Sequence, residues 1–299
     1  MSFFQDRKAV VLGGGTGLLG QALVRALADA EAKVTATSRS ELDPLDKDAL
    51  TAFLQREDPA MVFNAVAHTQ VDMAEEETAQ AEQLNAALPE HLGRLSAELG
   101  FQLIHFSTDF VFDGRKDAAY TEEDETAPLS VYGKTKLRGE QKLLGLGLKN
   151  TLIIRSAWLF GPGRENFVSK ILRLAREREI LSVVHDQVGS PTYTPDLAAH
   201  TLALAEVGAT GIFHVVNGGR ASWCELAAEA IRIAGLNCRI EAIPSSAYPA
   251  RAVRPASSQL DTSKLARTTG KTPRPWVQAL RDYIYSDLAA EFAGEFGEE

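Results

Sequence analysis

A short apolar run that ends in three glycines constrains this chain more than any other feature. Ala9, Val10, Val11 and Leu12 have β character, Gly13-Gly14-Gly15 break the run, and Leu19, Leu23, Ala26, Leu27 and Ala30 then recur at helical spacing. The turn reads Gly14-Gly15-Thr16-Gly17-Leu18-Leu19-Gly20, which satisfies both GxxGxxG and GxGxxG. Glycines at a strand-to-helix turn let the backbone bend tightly and approach an anion, with helix amides aimed at it. The pattern predicts a dinucleotide pyrophosphate site on Gly14, Thr16, Gly17, Leu18, Leu19 and Gly20.

The rhythm continues through the first half. Strand-like segments at 33–37, 61–65, 102–106 and 151–155 alternate with helical ones, among them a leucine-spaced stretch over 84–99 interrupted at Pro89 and a helix over 132–144. Strand–helix alternation means βαβ units and a parallel sheet covered on both faces. The expected fold is α/β: a Rossmann-type doubly wound parallel sheet over residues 1–157, then a smaller C-terminal α/β substrate lobe over 158–299. Segments at about 182–217 are expected to return to the first sheet. In the second lobe Ser222 and Glu225 form a capping box before an apolar helical run, five prolines between 244 and 275 punctuate the chain, and a last helix is expected over 277–290 before an acidic tail at 291–299. A chain of 299 residues can bury a sizeable core without staples.

Composition excludes several classes of function. A formal net charge of −9 argues against a sequence-independent nucleic-acid binder, which needs a basic footprint. Two cysteines, Cys224 and Cys238, make neither a disulfide framework nor a zinc spacing, and the six histidines show no HExxH, so no metal is expected. The most apolar stretch, 198–216, is too interrupted to span a bilayer, and the first residues lack the layout of an export signal. A cytoplasmic protein without membrane or nucleic-acid partners is the expectation, and a homodimer stays open.

The end of the second strand selects the cofactor. NAD-preferring folds place Asp or Glu there to hold the ribose hydroxyls; this chain has Thr37-Ser38-Arg39. A hydroxyl and a guanidinium suit a 2′-phosphate, so Ser38 and Arg39 favour NADPH, while nearby Glu41 and Asp43 leave NADH open.

A second constellation supplies the chemistry. Tyr132 and Lys136 are four residues apart, on one face of a helix, where an ammonium is expected to lower the phenol's pKa. Thr108 closes the fourth strand, at the edge where open α/β sheets bind ligands, and can bond the same substrate oxygen. His68, after the third strand, reads equally as a ligand neighbour or a structural histidine. Glu75-Glu76-Glu77 reads as a solvated helix start, and Trp223 and Trp276 as packing residues.

These segments resemble the extended short-chain dehydrogenase/reductase family, and within it the reductases of dTDP-4-keto-6-deoxysugars. The likeness runs through the turn Gly14 to Gly20, Asp43-Pro44, Asn64-Ala65-Val66-Ala67-His68-Thr69, Ser107-Thr108-Asp109-Phe110-Val111-Phe112-Asp113-Gly114, Tyr132-Gly133-Lys134-Thr135-Lys136, Arg155-Ser156-Ala157-Trp158 and Arg254-Pro255 with Ser258. It implies that NAD(P)H lies along the glycine turn, Arg39, Ala65, Ala67 and Thr69, with Asp43 and Pro44 near the adenine. It implies hydride delivery to the C4 keto group of dTDP-4-dehydro-6-deoxy-L-mannose, giving dTDP-L-rhamnose. Tyr132 would protonate the alkoxide, Lys136 would hold the nicotinamide ribose, and Thr108 would orient the keto oxygen. His68, Asp109 and Trp158 would contact the sugar nucleotide. Phe110 stands where relatives often have Tyr, and Ser156-Ala157 replaces a more polar pair. A dehydratase needs an acidic pair after the threonine, and Phe110 follows Asp109 instead; an epimerase is disfavoured by Arg39. The other alternative is a non-catalytic NADP-binding subunit similar to the methionine adenosyltransferase beta subunit.

Overall fold

Five strands from the first half of the chain, β1 (Lys8–Leu12), β2 (Lys33–Thr37), β3 (Met61–Asn64), β4 (Gln102–Thr108) and β5 (Thr151–Ser156), join the later strand Gly211–His214 in one sheet. Its order is Gly211–His214, β5, β4, β3, β1, β2, and all neighbours are parallel. The structure is a computed structural model that describes residues 3–288.

The near-continuous apolar strands follow from burial on both faces. In β1, Ala9 and Val11 pack on one side with Leu19, Leu23 and Leu27 of α1 (Leu18–Asp29) and with Leu197 and Leu204 of the helix Thr194–Glu206. Val10 and Leu12 point to the other side, against Leu50 and Leu54 of the helix Lys47–Glu57 and Leu88, Leu92 and Leu95 of the helix Leu88–Leu99. The period of two along the strand thus assigns the two layers. From β1 the chain goes to β2 on one side, then crosses back to β3 on the other. That reversal opens a crevice at the carboxyl ends of β1 and β3, where such sheets bind ligands.

A second core holds the smaller lobe. It unites the helices Phe167–Glu177, Trp223–Ile233 and Trp276–Asp282 with the strand Ile180–Val184, which pairs in parallel with Arg239–Ile243. Of the segment 182–217, the helix Thr194–Glu206 and the strand Gly211–His214 lie with the first sheet, whereas Ile180–Val184 stays in the second lobe. Ser222 caps its helix as expected: its hydroxyl accepts from the Glu225 amide at 3.1 Å, and Glu225 accepts from the Ser222 amide at 2.7 Å.

Two helices differ from their predicted form. The stretch around Pro89 runs as Thr78–Glu82, a π-helical turn at Gln83–Ala87, and Leu88–Leu99, with Pro89 in the first turn of the last. Proline there loses no hydrogen bond, so the break becomes a wide turn. The last helix is Trp276–Asp282 followed by a π turn at Tyr283–Leu288; the remainder of the expected 277–290 and the tail at 291–299 lie outside the described residues. Among the described residues no helix is long and apolar enough to cross a membrane.

Candidate active site

A groove of about 240 Å³ lies at the carboxyl ends of β1, β2 and β3. Thr16, Gly17, Ser38, Arg39, Pro44, Ala65 and Ala67 all line it. Gly17 is the N-cap of α1, and no side chain caps that helix end, which leaves its first amides for an anion. Gly20 has a steric reason: a Cβ there would stand 2.3 Å from the Gly13 carbonyl oxygen. Gly14 and Leu19 are buried in the packing of α1 on the sheet, and the Gly14 amide donates to the Val11 carbonyl at 3.1 Å, so contrary to expectation Gly14 offers the anion no donor; Leu18 is half-buried. Asp43 is exposed and accepts from the Leu45 amide at 3.0 Å, and Thr69 is exposed outside the groove's lining. Arg39 is exposed, whereas Ser38 is engaged: its amide and hydroxyl donate to Glu41 Oε2 at 2.8 and 2.7 Å.

The carboxyl ends of β4 and β5 continue the same sheet edge beyond β3. Ser107 Oγ, Ser156 Oγ and His68 Nδ1 are buried there or just beyond β3 without a hydrogen-bond partner. Orphaned polar atoms along a ligand-binding edge fit a polar occupant. With the glycine turn and the groove, they make the edge suited to a dinucleotide.

Thr108 ends β4 and faces Tyr132 on the helix Val131–Gly145. Close approach of that helix depends on Gly133, where a Cβ would stand 2.2 Å from the Phe110 carbonyl oxygen. Phe110 packs edge-on to Tyr132 with ring centroids 5.7 Å apart. Burial pushes the Tyr132 phenol up to about 12; the Thr108 hydroxyl pulls it back, and the charge of Asp109 pushes it further up. The expectation that Lys136 lowers this phenol is therefore overturned. Lys136 Nζ turns inward, donating to the Phe106 carbonyl at 2.5 Å and lying 3.4 Å from His105 Nε2. Its own ammonium form is disfavoured: burial brings Lys136 down to about 8, against the pull of Glu140.

Asp109 is 2% exposed and is spent inside the protein. Its carboxylate accepts from the Thr108 hydroxyl at 3.0 Å and from the Ser258 hydroxyl, which arrives from the second lobe, at 2.5 Å. Burial raises this carboxyl to about 6 despite those two donors. Trp158 adopts a left-handed backbone conformation, φ 49°, and stacks on Trp223 with ring centroids 3.5 Å apart. Phe167 lies 4.6 Å from Trp223, so the second lobe presents an aromatic wall.

Residues set aside in the sequence prove to organise the site. Glu75 Oε1 accepts from the Val131 amide at 2.8 Å and so holds the start of the Tyr132 helix. Glu76 pairs with Arg251 of the second lobe, and Glu77 accepts from His68 Nε2 at 2.7 Å. The three glutamates are not a solvated helix start; each grips a different element. The neighbouring Asp72 is held below the usual carboxylate range by Arg254 and by the backbone amides of Arg251 and Ala252, which outweigh its burial. Asn85, on the π turn, accepts from the His68 amide at 2.8 Å and donates to Thr135 Oγ1 at 3.0 Å, tying the loop after β3 to the Tyr132 helix. A register signal was present for one more residue: Asn64 and His105 are polar intrusions at paired positions of two apolar strands.

A glycine-turned nucleotide crevice beside a Thr–Tyr–Lys edge defines a short-chain dehydrogenase/reductase of the extended type. The family whose model is described as the RmlD substrate binding domain matches residues 8–288, and the chain belongs to it. A dTDP-4-dehydrorhamnose reductase of Aggregatibacter actinomycetemcomitans is 38% identical over 286 residues, covering 91% of this chain and 97% of the relative. The crystal structure of a dTDP-4-dehydrorhamnose reductase from Clostridium acetobutylicum superposes with a TM-score of 0.90 at 36% identity, over 95% of this chain and 99% of that one. The enzyme of that name from Bacillus anthracis, solved in complex with NADP, also has a TM-score of 0.90, at 30% identity over 94% and 99% of the two chains.

Proposed function

We propose that this chain reduces the C4 keto group of dTDP-4-dehydro-6-deoxy-L-mannose (dTDP-4-dehydrorhamnose) to the alcohol of dTDP-L-rhamnose, with NADPH and, at lower preference, NADH. Family membership supports the substrate class, and the relative solved with NADP supports the cofactor. The observation that carries the chemistry is Tyr132 facing Thr108 at the sheet's carboxyl edge.

Bound NADPH supplies the hydride. The residues divide the remaining work. The amides of Thr16 and of Leu18 and Leu19 at the start of α1 would hold the pyrophosphate, Ser38 and Arg39 the 2′-phosphate, and Gly17, Pro44, Ala65 and Ala67 would wall the groove; the Gly14 and Gly17 amides themselves donate to the Val11 and Gly13 carbonyls at 3.1 and 3.0 Å. Asp43 and Thr69, exposed and outside its lining, would reach the cofactor only from beyond the groove. Thr108 orients the keto oxygen, and Tyr132 gives its phenolic proton to that oxygen as the C4–H bond forms. A phenol raised to about 12 stays protonated at neutral pH, as a donor must. Lys136, whose Nζ is turned inward in the free chain, would have to swing out to meet the ribose, Trp158 with Trp223 would flank the sugar nucleotide, and His68, steadied by Glu77, would sit near the end of β3. Asp109 acts through Thr108 instead of touching the sugar.

The test is direct. Protein, NADPH and the 4-keto sugar nucleotide are mixed, absorbance of the reduced cofactor is followed, and the product is identified by NMR. Stoichiometric oxidation with formation of dTDP-L-rhamnose is expected; no oxidation above background overturns the reading.

A further inference from the structure

A loop of the second lobe, residues 161–166, is pinned onto the first turn of α1. Gln21 Nε2 donates to the Gly163 carbonyl at 3.3 Å, and Gly163 takes a φ of 96°, which favours glycine, to present it. From the other side Asn166 Nδ2 donates to the Gly161 carbonyl at 2.9 Å and lies 3.2 Å from that of Arg164, while Asn166 Oδ1 caps the helix Phe167–Glu177. The backbone of Arg164 is therefore fixed between two anchors. Its side chain is exposed and lines the same groove as Thr16, Gly17 and Arg39. The adjacent Glu165 is taken by Arg173 at 2.9 Å, and among the described residues no carboxylate pairs with Arg164. A chain of net charge −9 needs local cations wherever it holds an anion, and here a second-lobe guanidinium stands ready in a first-lobe groove.

We propose that Arg164 is a cofactor ligand, whose guanidinium takes the diphosphate of the dinucleotide together with the first amides of α1. Position chooses the diphosphate over the 2′-phosphate. The loop is anchored at Gln21, whose amide donates to the Gly17 carbonyl at 2.9 Å, one helical turn from the end of α1 that no side chain caps. Arg39, by contrast, follows β2, where the ribose is read. A guanidinium also offers paired N–H donors that match phosphate oxygens. The dinucleotide is then held by both lobes, by the glycine turn of the first and by Arg164 of the second. This inference rests on reading the groove as the dinucleotide site; the sugar substrate plays no part in it.

Dissociation constants for NADPH and NADH, from fluorescence titrations without sugar substrate, test it. Both cofactors carry the diphosphate and only one carries the 2′-phosphate. Arg164→Ala should therefore weaken both by the same factor, ~10-fold. Arg164→Glu sets like charge against the diphosphate and should weaken both further. Arg164 is exposed, so the urea midpoint of the unliganded Ala variant should match the wild type, whereas the rise in midpoint on adding NADPH should shrink. A loss confined to NADPH, or unchanged constants for both cofactors, overturns the proposal and leaves the reductase reading intact. Equal losses with a lowered unliganded midpoint assign Arg164 to the structure of its loop and overturn it as well. A wild-type chain that binds neither dinucleotide overturns both readings.

Discussion

Ser258 and Asp109, 149 residues apart, meet at 2.5 Å, and this contact ties the second lobe to the threonine that faces Tyr132. The Asp109 carboxyl is raised from 3.8 to about 6 by burial, so the folded state binds its proton more tightly than the unfolded chain. The favourable contribution is complete below about 4 and is lost as pH rises through about 6, on the order of 3 kcal/mol in all. Asp109→Asn removes this slope. Urea unfolding of both proteins from pH 4 to 7.5 should therefore show the wild type losing stability relative to the variant as pH rises; a constant difference contradicts the assignment. Asn can accept from Ser258 or Thr108 through one oxygen only, so turnover should also fall ~10-fold through a misplaced Thr108.

A phenol pushed up to about 12 makes a second prediction. No alkaline loss of turnover below about pH 10 should trace to Tyr132 ionising. Tyr132→Phe should leave cofactor affinity unchanged in a fluorescence titration and cut turnover ~100-fold or more. Unchanged turnover in that variant removes the tyrosine from the chemistry.

How much of this was legible in the sequence depends on the range of the contact. The glycine turn and the strand–helix alternation are local patterns, and they gave the sheet, its layers and the groove. Tyr132, Lys136 and Thr108 were legible as a motif, but the direction of the Lys136 side chain was not. It is set by the Phe106 carbonyl and His105, 30 and 31 residues away, and so the expected depression of the phenol failed. Glu75 and Glu76 look like part of any solvated acidic run because their partners Val131 and Arg251 are 56 and 175 residues distant. His105 hid within an apolar strand, visible only when Asn64 is aligned beside it.

Glu75 supplies a third prediction. Its carboxylate receives the Val131 amide at the start of the Tyr132 helix, where Ser130 separately accepts from the Gly133 amide at 3.2 Å. Glu75→Ala leaves one orphan donor and removes a negative charge from the helix start, at a cost of about 1 kcal/mol. Glu75→Gln keeps the acceptor and should recover most of it. Urea midpoints of the two variants give the comparison, and equal losses would assign Glu75 to bulk charge instead of the cap.

The cofactor end of the groove yields the last prediction. Ser38 offers an amide and a hydroxyl to a 2′-phosphate, yet both donate to Glu41 Oε2, and those two bonds hold the Glu41 carboxyl below its usual range. A bound 2′-phosphate would have to displace that carboxylate or lie beside it, like charge against like. Arg39, exposed at the groove, is the counterweight that attracts the phosphate. The two side chains therefore push selectivity in opposite directions. Arg39→Ala should weaken NADPH about 10-fold while leaving NADH near its original affinity. Glu41→Gln should do the reverse, tightening NADPH several-fold with little change for NADH, because the ribose hydroxyls carry no charge to repel. Dissociation constants for both cofactors with the two variants decide the matter. Parallel changes for NADPH and NADH would show that these residues shape the loop after β2 without reading the phosphate.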